Sequence, residues 1–509
     1  MQKNLKRIRI FLSTIIFLSF LSIFTFSNIP DKLGKILTNF QFTPVLLTLI
    51  SSLALSAVII FIILILASLI FGRIYCASFC PLGILQDIII YLGEKLHLQP
   101  KKSPQKPLTI LRLSILFVTL ATVVFGTNLL LNIIEPYSLF GRFSVSIFRP
   151  LYAFVNNQLV TILENFNIYS ISYINYPDTS IFLSIITLVI FFGLVILTLL
   201  RGRKYCNSIC PVGTILSILS KPAIFRIAIT EQECTNCKIC ESECRAGCID
   251  IEKSSIDHTR CTLCFDCVGA CPQGAIAYRP IKNSVTSSNP NRRSFITGSL
   301  ALLALPIIQD SKKDTAKNTP VLPPGANNYE SFLNKCTGCH LCVNACPSQV
   351  IVPSLFDYGL EGIFQSKMDY NQGYCNYDCN TCTQICPTEA LSELNLEEKQ
   401  LTKLGEVNLN KDQCIVYRTN ADCGACIEHC PTHAVYADER NGIRYPETNP
   451  DYCIGCGACQ YPCPTTPRAI TVTALTNHTK ALPPFQETQE SEKSKEKSDT
   501  DESDTDFPF

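Results

Sequence analysis

The sequence predicts two fold classes in one chain: a membrane α-helical bundle, then small α+β domains built on cysteine-rich loops. Three observations carry this. Only 17% of the 509 residues are charged, against about 25% in soluble domains. Four stretches are free of charge over the roughly 20 residues that a bilayer span needs. The 29 cysteines fall into repeated groups, in a chain large enough to bury a core without disulfides. With 43 basic and 42 acidic residues, the chain lacks the basic excess of a nucleic-acid binder. Its six histidines avoid the apolar runs, which argues against a membrane haem b. A plain soluble enzyme and a secreted disulfide knot are excluded with them.

The four expected spans lie within 10–30, 36–72, 113–134 and 179–200, with Pro44 placing the second helix near 45–70. Thirteen lysines and arginines, from Lys3 through Arg73 and Arg112 to Lys204, flank one side of this bundle. Lys32, Lys35, Arg142 and Arg149 flank the other. The bias puts both ends of a multi-pass domain, 1–220, in the cytoplasm of a bacterial inner membrane. The first apolar run is long for a signal peptide and no small-residue cleavage site follows it, so it reads as an anchor.

This domain holds an internal repeat. Gly72-Arg-Ile-Tyr-Cys76-Ala-Ser-Phe-Cys80-Pro-Leu-Gly83 returns as Gly202-Arg-Lys-Tyr-Cys206-Asn-Ser-Ile-Cys210-Pro-Val-Gly213, with eight of twelve positions shared. Each copy follows a pair of spans, so the bundle reads as two duplicated hairpins. Brought together, Cys76, Cys80, Cys206 and Cys210 would ligate one metal or cluster or form a redox dithiol pair. The plainer reading is packing, or partner docking, at helix ends. Tyr75 and Tyr205 beside them read as interface-belt residues, with lining of a quinol site as the alternative.

From residue 221 the cysteines come in fours. Cys234, Cys237, Cys240, Cys244 and Cys261, Cys264, Cys267, Cys271 keep the spacing C-x2-C-x2-C-x3-C. This is the bacterial ferredoxin run for 4Fe–4S clusters, whose fourth cysteine serves the other cluster. Three thiolates from one tight loop grip three irons, and the fourth arrives from a distant turn. One cluster therefore takes Cys234, Cys237, Cys240 and Cys271, and its neighbour Cys261, Cys264, Cys267 and Cys244. Zinc knuckles rarely repeat this run. Domain 221–280 is thus expected to be a cytoplasmic two-cluster ferredoxin.

Four more groups fill 328–475. Cys336, Cys339, Cys342, Cys346 and Cys453, Cys456, Cys459, Cys463 are regular. Cys375, Cys379, Cys382, Cys386 and Cys414, Cys423, Cys426, Cys430 have wider first gaps. Because the irregular groups lie between the regular ones, nested pairing is expected, first with fourth and second with third. Six 4Fe–4S clusters follow, with a seventh if the repeat cysteines join. Cys336-x-x-Cys339-His340 fits a haem-attachment pattern, yet Cys342 and Cys346 continue it as a ferredoxin run. Cys248 falls where Ala275, Val350 and Ala434 follow other groups, so it reads as a small buried apolar residue. Arg245 stands where other groups have proline, and its charge near a cluster would raise the potential.

Between the two sets, linker 281–327 carries Arg292-Arg293 before an apolar run, 295–308. A twin arginine of this kind is an export address for folded proteins. It predicts a fifth, uncleaved span and places 328–475 in the periplasm. The tail 476–509 has nine acids against three bases from Phe485 on and reads as disordered.

On these motifs, residues up to about 280 resemble the NapH family of ferredoxin-type membrane proteins. Residues 290–470 resemble the NapG/MauM family, so the chain looks like a fusion of the two. The fold implied is a four-span bundle, with a fifth span, bearing bacterial-ferredoxin-like 4Fe–4S domains. The function implied is a quinol dehydrogenase component. It would draw on the quinone pool and feed a periplasmic cytochrome or reductase, as in nitrate-reductase systems. The MauM half implies an alternative: an accessory redox factor for maturing or reactivating a periplasmic metalloenzyme. No P-loop or dinucleotide fingerprint appears, so substrate chemistry falls to partners.

Overall fold

The computed structural model describes residues 3–26, 31–98, 104–124, 126–174, 180–280 and 319–484. Arg292, Arg293, the apolar run 295–308 and residues 485–509 of the tail lie outside the described residues; 476–480, expected to open a disordered tail, instead complete the strand Ile470–Lys480 by pairing with Thr402–Leu409. The helical part runs α1 (Lys3–Thr25), α2 (Asp31–Asn39), α3 (Phe42–Ser52), α4 (Leu55–Phe71), α5 (Ile74–Ser78) and α6 (Pro81–Lys95). It continues with α7 (Thr109–Val124), α8 (Leu129–Ile134), α9 (Pro136–Phe143), α10 (Arg149–Glu164), α11 (Ile181–Arg201), α12 (Lys204–Ser208) and α13 (Pro211–Leu219).

Among the described residues, two helices are long and apolar enough to cross a membrane: Asn4–Thr25 and Ile181–Arg201. The other expected spans are interrupted. The stretch 45–70 is two helices, because Leu53 turns left-handed at φ 49. Just before it, the Ser51 and Ser52 hydroxyls bond back to the Thr48 carbonyl, which competes with the helix ladder. The stretch 113–134 stops at Val124, where Gly126 turns at φ 75, and resumes as α8. The helices α3, α4 and α7 are therefore apolar but short.

The duplication is plain in the backbone. Helices α4 and α11 end at Gly72 and Gly202, with φ of 80 and 61. A five-residue helix follows in each copy. Cys80 and Cys210 then stand at the N-cap, with Pro81 and Pro211 opening α6 and α13, where a missing N–H costs nothing.

The first cysteine module begins with β1 (Phe225–Ile229) and contains β2 (Ile249–Asp250), β3 (Ser255–Ile256) and β4 (Ile276–Pro280). Strand β1 pairs antiparallel with β4, and β2 with β3. In the second module β5 (Ile351–Pro353) pairs with β6 (Ser366–Met368). Strand β7 (Thr402–Leu409) pairs with β10 (Ile470–Lys480), and β8 (Val435–Arg440) with β9 (Ile443–Thr448).

The modules sit at opposite ends of α1. Near its start, Lys6 meets Asp266 of the first module at 2.8 Å. Near its end, the Ile23 carbonyl accepts a bond from Asn344 Nδ2 of the second at 3.0 Å. Seventeen residues separate these contacts, about 26 Å at 1.5 Å per residue. The two junctions differ in kind. One apolar core runs from Phe20, Phe24 and Phe140 of the bundle into Leu341 and Val350 of the second module. The first module keeps its own core, against which only a few bundle side chains such as Leu5 and Ile74 pack, and buried ions add to its docking.

Asp87 is the hub of that ionic junction. It meets Arg9 at 2.7 Å, Arg203 at 2.6 Å and Arg245 at 3.0 Å. Burial alone would raise its pKa, but Arg203, Arg245 and Arg9 hold it well below the usual carboxylate range. Asp87→Asn is expected to cost about 3–5 kcal/mol, because it strands buried cations. Urea unfolding in detergent measures this. In the wild type the contribution is complete above the unfolded carboxylate pKa of about 3.9 and fades as pH falls toward the lower folded value.

Candidate cluster centres

The cysteine loops share one backbone device. In each regular C-x2-C-x2-C run, the same two positions have positive φ: Asn236 and Lys238, Leu263 and Phe265, Gly338 and His340, Gly455 and Gly457. Bulky residues such as Leu263 and Phe265 rarely adopt this conformation. Backbone turned this way aims successive N–H groups into an anion-binding concavity typical of iron–sulfur sites. The residue before proline in the run needs no such strain, and β-extended values return at Cys271 and Cys346.

The thiols gather as the ferredoxin spacing predicts in the first module. Cys234, Cys237, Cys240 and Cys271 line one small cavity. Cys261, Cys264, Cys267 and Cys244 line another. Cys248 also lines the second cavity, with its sulfur 3.6 Å from that of Cys244. Ala275 holds the matching place in the first, so the small apolar slot expected for Cys248 is a cavity wall.

In the second module the pairing is sequential, and the nested expectation is corrected. Cys386 lies within electrostatic range of Cys336, Cys339 and Cys342, and Cys346 of Cys375 and Cys382, whose loop also carries Cys379. Cys430 stands so against Cys453, Cys456 and Cys459. Cys414, Cys423, Cys426 and Cys463 line one small cavity. The wide gap before Cys423 did not signal nesting. It holds one helical turn, Ile415–Thr419, closed by left-handed Asn420, which returns the chain to the cavity.

These donor sets fit 4Fe–4S clusters. Burial pushes the thiols up, Cys240 and Cys375 to about 11 and Cys426 and Cys456 to about 12. Such thiols shed their protons when metal binds. Among the described residues no three His, Cys, Asp or Glu side chains converge tightly enough for a single ion. His340 is buried, with Nε2 2.9 Å from the Phe364 carbonyl, and takes no part in the thiol set.

The repeat brings its four cysteines together. Cys76, Cys80, Cys206 and Cys210 are all buried, and every pair among them lies within electrostatic range. The halves are crossed by their arginines. Arg73 Nη2 donates to the Cys206 carbonyl at 3.1 Å, and Arg203 Nη1 to the Cys76 carbonyl at 2.7 Å. Glycine is required two residues after each proline: a Cβ on Gly83 would stand 2.2 Å from the Cys76 carbonyl, and on Gly213 2.3 Å from that of Cys206. Tyr75 and Tyr205 are no interface belt. Both are buried, bonded to Gln41 Oε1 at 2.8 Å and to the Ile134 carbonyl at 2.6 Å.

Spacing did not reveal the ions that dock the first module. Arg245 bridges Asp87 and Asp266, at 3.0 and 2.5 Å, and its charge, partly shared with these carboxylates, also acts on Cys264 of the cluster set. Its carbonyl accepts from Arg203 N at 2.9 Å, and a Cβ on Gly202 would stand 2.3 Å from that oxygen.

Known families match in pieces. Residues 53–99 and 183–229 each match a 4Fe–4S binding domain, and 335–391 and 421–466 each match a 4Fe–4S dicluster domain. The two dicluster matches agree with sequential pairing. The chain is 36% identical over 74 residues to the uncharacterized protein MJ0749 of Methanocaldococcus jannaschii, covering 14% of this chain and 29% of that protein. It is 26% identical over 217 residues to MJ0750 of the same organism, 43% of this chain and 76% of that one. It is 28% identical over 159 residues to the ferredoxin-type protein NapF of Escherichia coli, 31% and 87% respectively. MauM and MauN of Methylobacillus flagellatus and YccM of Escherichia coli are similar at low identity too. The chain is a ferredoxin-type 4Fe–4S electron-transfer protein related to these.

Sequential pairing has a direct check. Replacing Cys339 and Cys386 together by serine should remove one cluster, about four irons. Replacing Cys339 and Cys463 should remove two. Nested pairing reverses these outcomes, and iron analysis of anaerobically purified protein separates them.

Proposed function

We propose that the chain is a membrane-embedded fusion of a NapH-type bundle with a NapG/MauM-type ferredoxin, oxidising quinol and delivering electrons to a periplasmic acceptor. The domains are those drawn from the sequence, 1–220, 221–280, 281–327, 328–475 and 476–509, except that the second module takes in 319–327 and the strand through Lys480. The six centres are held by Cys234, Cys237, Cys240 and Cys271; by Cys261, Cys264, Cys267 and Cys244; and by the four sequentially paired sets of the second module. When bound, 4Fe–4S clusters supply one-electron storage and transfer. The protein's part is to hold them in a row and shield them from water.

One observation carries this reading: within each module the thiol sets follow one another in a row. Cys267 lies within electrostatic range of Cys240, and Cys382 of Cys342. The Cys375 amide donates to the Cys456 carbonyl at 2.9 Å, and Cys459 lies within range of Cys426. The two modules stand at opposite ends of a span-length helix, which suits delivery from one side of a membrane to the other. Apolar side chains on the outer faces of α4 and α11, such as Ile62, Leu66, Val189 and Ile196, are exposed, which suits lipid.

The likeness to MauM and MauN favours a second reading, an accessory factor that reduces a periplasmic metalloenzyme during maturation. Kinetics separate the two. A menaquinol analogue mixed with detergent-solubilised protein should bleach the visible absorbance of the clusters within seconds. Bleaching that never outruns the uncatalysed control contradicts quinol oxidation and leaves the accessory role.

Topology is tested separately. A reporter active only in the periplasm, fused after Thr473, should be active, and replacing Arg292 and Arg293 by lysine should silence it. Activity unchanged by the swap contradicts the export assignment.

A further inference from the structure

We propose that Cys76, Cys80, Cys206 and Cys210 hold one additional cluster, a 4Fe–4S cubane shared between the two halves of the bundle. This deepens the electron-transfer reading and rests on it. Each half matches a 4Fe–4S binding domain by itself, yet each brings two thiols to the motif, and a cubane takes four. The fold supplies the missing pair by laying one repeat across the other.

Charge points the same way. Arg73 and Arg203 are fully buried. Arg203 has Asp87, but Arg73 has no carboxylate partner among the described residues. Arg73 Nη1 reaches Asn207 Oδ1 at 2.8 Å and the Thr259 carbonyl at 2.9 Å, Nη2 the Cys206 carbonyl, and Nε no partner among the described residues. Its Nη2 lies 3.8 Å from Cys76 Sγ. An uncompensated guanidinium in a protein interior is strongly disfavoured. Counting Lys6, Arg9, Arg245 and Arg260 as well, six cations at this junction face three carboxylates, Asp87, Asp266 and Asp257. Anionic thiolate clusters on either side of Arg73 supply the missing negative charge.

The thiols are also prepared as ligands. Cys210 Sγ accepts from the Gly213 amide at 3.3 Å, and Cys80 takes the matching N-cap place before α6. Each therefore sits at a helix N-terminus, which favours a thiolate. Soft thiolate sets select zinc, copper(I) or iron–sulfur clusters. The match of each half to a 4Fe–4S binding domain favours the cubane among these.

Position gives the cluster its work. On one side, Arg73 links the site to Cys261 of the first module. On the other, Tyr75, Glu135 and Tyr137 lie in sequence between Cys80 and Cys339. The cubane closes the gap between the two modules, accepting one electron from one side and returning it to the other.

The test is a difference in iron. Cys76→Ser with Cys206→Ser should lower the iron of full-length, anaerobically purified protein by about four per chain, from about 28 to about 24. One electron-paramagnetic-resonance signal of the reduced protein should vanish while those of the ferredoxin centres persist, which also certifies folding. Arg73→Gln should shift the potential of that one signal and leave the others in place. Iron of about 24 in both proteins, zinc in place of iron, a loss of about two irons, or disulfides among the four cysteines would each overturn the proposal. Wild-type iron far below 24 would instead overturn the six-centre reading.

Discussion

The crossed pair Arg73 and Arg203 is the contact on which the rest of the molecule depends. Each guanidinium is buried and leaves its own repeat to hold the carbonyl of the other repeat's first cysteine. That exchange fixes the two hairpins to each other, brings four thiols into one place, and presents Gly72 and Gly202 to the first cysteine module. Lysine could not substitute, because a point charge lacks the planar fork that reaches several acceptors at once.

Burying so much positive charge sets the remaining design. Asp87 and Asp266 answer part of it and dock the first module, so that junction is ionic and specific. The second module meets the bundle chiefly through apolar packing, with amide contacts such as Asn344 to Ile23, an exposed ion pair of Lys35 with Glu393 and Arg142 over the Phe364 ring. One module is thus steered by charge and the other is an extension of the bundle core.

Much of this was legible in the sequence. The ferredoxin spacing named the ligands of the first module and their exchange of fourth cysteines. The shared twelve-residue pattern revealed the duplication, because its identities carry structural roles. They supply a left-handed turn at Gly72, a crossing arginine, a buried tyrosine, an N-cap thiol, and a glycine under a carbonyl. What spacing did not carry was three-dimensional choice. The wide gap before Cys423 resembled a nesting signal but was one inserted helical turn. Continuous apolarity over 45–70 and 113–134 concealed breaks at Leu53 and Gly126, since hydropathy is blind to backbone turns. The ion network escaped because Asp87, Arg9 and Arg245 are far apart in sequence and carry no motif.

The central claim is that one row of redox centres joins the two ends of the bundle. Protein sealed into lipid vesicles and treated outside with a strong, membrane-impermeant one-electron reductant tests it directly. The account predicts that nearly all the cluster absorbance bleaches, since centres facing the vesicle interior are reduced through the protein. Bleaching limited to the outward-facing fraction, with the rest lost only when detergent opens the vesicles, would contradict it.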